Sequence, residues 1–146
     1  MKSTKSQIQT NLRSILENTL EEARREYLLA KESRDSDTKS SAGDKFETGR
    51  EMMQREMDKW SAQIDNTKIS LNKIDRLADL PASAIISEGS LVETDQETYY
   101  LSIGYGKLDS VYVISIESPL GVELKGKRVG ERIEMRGRNI TIKSIL

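Results

Sequence analysis

The stretch MMQREMDKWSAQIDNTKISLNKIDRLADLPAS, residues 52–83, decides the fold. Within it Met53, Met57, Trp60, Ile64, Thr67, Leu71 and Ile74 alternate steps of four and three without a break, which is a heptad seam along one helix face with Thr67 as its polar member. A Met and Trp stripe at helical spacing is packing surface rather than a binding box, so this helix needs a partner. The stretch closes on Asp79-Leu80-Pro81-Ala82-Ser83, where Pro cannot continue a helix and pushes its predecessor out of the helical region.

Working toward the N-terminus, Ile8, Leu12, Ile15 or Leu16, Leu20, Ala23, Tyr27 and Ala30 recur mostly at intervals of three and four, a second apolar stripe. Ser33 to Lys45 separates the two stripes, has no large apolar residue and is dense in capping and turn formers. The chain therefore turns there and the stripes face each other in an antiparallel helical hairpin, with Leu20 on the side of Trp60. Each arm is about 30 residues, or roughly 45 Å at 1.5 Å per residue. A single long helix dimerising in parallel is the competing architecture, and Gly43 with the polar run argues against it.

Working toward the C-terminus, composition changes abruptly near residue 80: all five Val, both Pro and seven of nine Gly lie beyond it. The reading is an α+β chain with a hairpin over residues 1–80 (tip about 33–45), a linker over 81–89, a junction at 79–84 and a β-rich domain over 90–146. Strands are expected at Leu91–Thr94, Tyr99–Gly104, Val111–Ile116, Glu131–Met135 and Asn139–Ile145, with Gly104–Ser110 a turn and Arg136-Gly137-Arg138 a tight hairpin signal, all in one antiparallel sheet. Ser118 before Pro119 reads as an N-cap followed by Pro at the first helical position, so a short helix interrupts the strands. Charge is segregated: residues 85–124 hold seven acids and one Lys, residues 125–146 seven bases and two acids.

The chain has 146 residues, 23 Lys and Arg against 24 Asp and Glu, no Cys and no His. That excludes a thiol nucleophile, a disulfide frame, a Cys/His zinc site and any histidine base. The N-terminal MKSTKSQIQT has no apolar signal core and no apolar run approaches a membrane span, so a cytoplasmic chain without membrane contact is expected. With charge near balance and no clustered aromatic platform, direct nucleic-acid contact is expected to be weak or indirect.

The segment VISIESPLGVELKGKRVGERIEM, residues 113–135, resembles the C-terminal domain of the bacterial Gre transcript-cleavage factors. The shared pattern is a strand (Val113 to Ile116), Ser118, Pro119, Leu120, a spaced Leu124, Gly126, Lys127, and then Glu131 opening the next strand. The order of modules is similar too, a coiled-coil hairpin followed by an FKBP-like domain. The resemblance implies a transcription elongation factor that binds bacterial RNA polymerase through the globular domain, at Ser118, Pro119, Leu120 and Gly121, and inserts its hairpin in the secondary channel. It implies no enzyme activity of the chain's own and no cofactor of its own, only stimulation of the polymerase's hydrolysis of backtracked RNA with magnesium held by the polymerase.

The family's tip pattern, Asp, an apolar residue, Lys, Glu, Asn, Ala, aligns with Asp37-Thr38-Lys39-Ser40-Ser41-Ala42. By that resemblance Asp37 is the catalytic-tip residue and a ligand to the polymerase's magnesium, and Ser40 stands where the family has Glu. A hydroxyl is a poor substitute for a charged oxygen ligand at Mg²⁺. Asp44 is the alternative tip acid; with Glu47 it also forms an Asp-x-x-Glu capping pattern before the seam. A cleavage-deficient channel binder is one alternative function. Another, from a different class, is a prefoldin-like chaperone or structural coiled-coil adaptor.

Overall fold

The computed structural model describes residues 4–36 and 43–146. The chain is a helical hairpin followed by a β domain: α1 (Lys5–Ser36), α2 (Gly43–Ala78), β1 (Leu91–Thr94), β2 (Thr98–Ser102), β3 (Gly106–Leu108), β4 (Val111–Ser115), α3 (Pro119–Leu124), β5 (Arg132–Met135) and β6 (Arg138–Ile145). Residues 14–71 form one compact unit, and residues up to 13 together with 72–146 form the other. None of the described helices is long and apolar enough to cross a membrane.

In the unit of residues 14–71, Leu20, Ala23, Ala30, Met57, Thr67 and Leu71 are buried, and Met53, Trp60 and Ile64 are half-buried. Both stripes thus face inward, as their periods require. The polar seam member is satisfied within its own helix, the Thr67 hydroxyl donating to the Gln63 carbonyl at 2.7 Å. Arg34 donates to Gln54 Oε1 at 2.8 Å, which sets the antiparallel register. The paired numbers sum to 88, so residue 20 lies level with residue 68 and not with Trp60. Trp60 keeps one edge toward solvent, where Nε1 donates to Glu56 Oε2 at 3.2 Å and Lys59 Nζ lies 4.8 Å from the ring centroid.

In the other unit α1 opens on a capping box. Thr4 Oγ1 accepts from the Gln7 amide at 3.1 Å, and Gln7 Oε1 accepts from the Thr4 amide at 2.9 Å. Arg13 and Asp75 pair at 2.6 Å, again summing to 88. The sheet order is β3-β4-β2-β1-β6-β5. It is mixed, which corrects the antiparallel expectation: β2 and β4 run parallel from Thr98↔Val111 to Ser102↔Ser115. The cause is β3, which lies where the sequence reads only a turn. It takes the sheet edge antiparallel to β4, so β4 comes back between β3 and β2 already aligned with β2.

Val92, Leu101, Ile142, Ile86 and Leu124 are all but completely buried on one face of this sheet, with Leu120 and Ile114 packed against them. Ile86 belongs to the stretch expected as linker. Its amide donates to the Lys127 carbonyl and its carbonyl accepts from the Gly126 amide, both at 2.9 Å. Tyr100 points to the opposite face because side chains alternate along a strand. It is fully buried, and its hydroxyl accepts from Gln9 Nε2 of α1 at 3.1 Å.

Candidate functional site

The Ser118 to Gly121 turn is built by backbone demands on each residue. Ser118 is the N-cap of α3: its Oγ accepts from the Gly121 amide at 3.1 Å and donates to the Ser115 carbonyl at 2.6 Å. Pro119 takes the first helical position, where its missing N–H costs nothing, and it is exposed. The buried Gly121 sits so close to the preceding strand end that a Cβ there would meet the Ser115 carbonyl oxygen at 2.2 Å and Ile116 Cα at 2.8 Å. Only Gly fits. Leu124, four residues after Leu120, closes α3 on the core, and Gly126 reverses the chain at φ +83°.

The outward apolar residue of this turn is Val122 rather than Leu120. Leu120 is packed against the core, whereas Val122 is 58% exposed beside exposed Pro119 and Glu123. Pro119, Val122 and Glu123 form the outward surface, held rigid by the Ser118 cap and the Gly121 contact. A rigid apolar group loses little entropy when a partner covers it.

At the far end of the hairpin, Asp37 and Ser40 lie outside the described residues, as does the side chain of Asp44. The α2 helix begins at Gly43, so the Asp44 backbone falls in its first turn. The described helices approaching that end carry Arg34, which donates to Asp35 as well as to Gln54; Gln54 in turn donates to Asp58 at 3.0 Å. Beside them lies an open cleft of about 370 Å³ lined by Ser33, Ser36, Gly49, Met52 and Met53. Leu28, Leu29 and Met52 are each more than half exposed. Among the described residues no three acids converge as metal ligands.

Among the described residues, three groups in the unit that holds the sheet have displaced titrations, one of them the Tyr99 phenol, which burial raises. Burial pushes the Tyr100 phenol above its ordinary value, with the Gln9 hydrogen bond opposing. Burial pulls the Lys5 ammonium down, while its Nζ donates to the Leu146 carbonyl at 3.1 Å. All three lie in the structural core or its margin. No family model matches the chain, and no curated protein matches it either.

Proposed function

We propose that the chain is a Gre-like regulator of transcript elongation, which binds bacterial RNA polymerase through the α3 turn and carries the 33–45 tip into the secondary channel. What supports the reading most is that turn. A rigid Pro119–Val122–Glu123 surface stands on a Ser118 cap and a Gly121 position that admits no side chain, in a β domain that follows an antiparallel helical hairpin. The 32 residues of α1 amount to about 48 Å of helix at 1.5 Å per residue, enough length for a channel-entering arm. In this reading the chain is no enzyme by itself. It acts by placing tip carboxylates beside magnesium that the polymerase holds, and Asp37, which aligns with the family's acid, is the residue that would do so.

The expected strength of that action follows from charge. With Ser40 in place of Glu, one carboxylate of two remains, and a hard divalent cation loses a large part of its favourable interaction. The chain should bind polymerase and stimulate cleavage weakly. In a cleavage assay on a halted, backtracked complex, Ser40→Glu should raise the rate and Asp37→Asn should remove what remains without weakening binding. Activity that survives Asp37→Asn but falls with Asp44→Asn would move the role to Asp44. A second reading, an apolar-gripping chaperone or adaptor, draws on exposed Leu28, Leu29 and Met52; it predicts holdase activity that Met52→Ser reduces and no affinity for polymerase.

A further inference from the structure

We propose that the free edge of β5, set among exposed arginines, binds an extended acidic segment of a protein partner by strand addition. α3 packs beside β5, yet the edge is formed by residues other than those of the α3 turn, and the proposal does not rest on the reading above. β5 ends the sheet and pairs with β6 alone. The β5–β6 hairpin closes on Met135↔Arg138 around a two-residue turn, so Met135 and Ile133 exchange ladder bonds with β6. The Glu131 carbonyl likewise accepts from Ile142 at 2.9 Å. By alternation the N–H and C=O groups of Arg132 and Glu134 point away from β6, and both residues are exposed. An added strand would find four main-chain groups at that edge.

The side chains select the sign of its charge. Residues 125–146 carry seven bases against two acids, and among the described residues neither Arg128, Arg132 nor Arg136 makes an ion pair. One of those two acids, Glu131, is already engaged, accepting from the Arg128 amide at 3.1 Å. Arg136 stands at the hairpin apex with φ +51°, a left-handed conformation that Asn, Asp or Gly adopts with less strain. An extended carboxylate-bearing chain satisfies both the edge and the guanidinium groups, which pair with carboxylates bidentately. Single-stranded nucleic acid fits less well, since residues 125–146 contain no aromatic side chain on which a base could stack.

The test uses the full chain and a fluorescently labelled peptide of alternating Glu and Val, read by anisotropy, with a Lys-Val peptide and a labelled oligothymidylate as comparisons. Saturable binding of the Glu-Val peptide, weaker in higher salt, is expected, and Arg132→Glu with Arg136→Glu should lower affinity at least about tenfold. Glu134→Pro separates the two components. It deletes an outward N–H while leaving the β6 ladder intact, and it also removes a negative charge. Strand addition predicts weaker binding by this variant, whereas Glu134→Gln binds as well as wild type or better. Circular dichroism checks that each variant is folded; if Glu134→Pro is not, the arginine pair decides. No saturable binding, indifference to the arginine reversal, tighter binding by folded Glu134→Pro, preference for oligothymidylate, or peptide competition with self-association of the chain would each overturn the proposal.

Discussion

Replacing Gly121 by Ala sets two effects of opposite sign against each other. In an ordinary helix the change is favourable, because Ala has the higher helix propensity by up to about 1 kcal/mol. In α3 the new Cβ would lie 2.2 Å from the Ser115 carbonyl oxygen, 2.8 Å from Ile116 Cα and 2.9 Å from the Ile116 carbonyl carbon. All three are backbone atoms, so no flexible side chain can yield. Restoring ordinary contact requires α3 to withdraw by about 1 Å, an overpacking strain of roughly 1–3 kcal/mol or more. That withdrawal also stretches the Ser118 cap, worth about 1 kcal/mol, and lifts Leu124 from the core. The net expectation is a loss of about 2–4 kcal/mol. For a chain of this size that lowers Tm by roughly 5–12 °C, measurable by calorimetry or by near-ultraviolet dichroism of the tyrosines. Hydrogen exchange should report the same event locally. The Val122 and Lys125 amides, bonded at 2.9 Å to the Ser118 and Gly121 carbonyls, should exchange faster. Exposed Val122→Ala is the control and should change stability by no more than about 0.5 kcal/mol. A Gly121→Ala protein as stable as wild type, or more stable, would refute the steric argument and with it the account of why this turn is rigid.

The Tyr100 phenol is raised by burial, so the fold favours its neutral form. Its contribution is complete below the ordinary phenol value of about 10 and is lost as pH rises from there through the folded value; Tyr100→Phe should flatten that alkaline decline in urea unfolding and cost about 1 kcal/mol at neutral pH for the Gln9 bond. A decline unchanged by the substitution would assign it to another group, Tyr99 first, which is also raised by burial. Spin labels at exposed Glu22 and Asn66, whose numbers share the sum of 88 set by Arg34–Gln54, should lie closer than labels at Glu22 and Asp58, which is offset by about 12 Å along the helix. Distances found only between molecules would replace the hairpin with a parallel dimer.

The hairpin was legible because its signal is periodic and local: Met53, Met57, Trp60, Ile64, Thr67, Leu71 and Ile74 sit four or three apart and all are buried or half-buried. The α3 helix was legible for a similar reason, since a Ser cap and a Pro at the first position act within four residues. What escaped is non-local or short. Gly106-Lys107-Leu108 has no β-branched residue and opens on a Gly at φ +111°, so nothing in its composition announces a strand. It becomes one only because β4 offers an edge, and the parallel β2–β4 pairing follows from that. Ile86 looked like linker because its core partners lie some 40 residues away, at Leu124 to Lys127. A six-residue helix is too short for its apolar period to show which side faces in, so nothing in the sequence marks Leu120 as the inward residue and Val122 as the outward one. The Thr4-x-x-Gln7 capping box did stand in the sequence and could have placed the start of α1.

The proposed docking of the α3 turn on bacterial RNA polymerase is tested most directly by an equilibrium titration of the labelled chain with the core enzyme. Saturable binding is expected. Val122→Glu with Pro119→Gly, which alters the outward surface and leaves Leu120, Gly121 and Leu124 in place, should weaken it at least about tenfold while the thermal melt still shows a folded β domain. Absence of saturable binding by the wild type, or equal affinity of a folded double variant, would contradict the account.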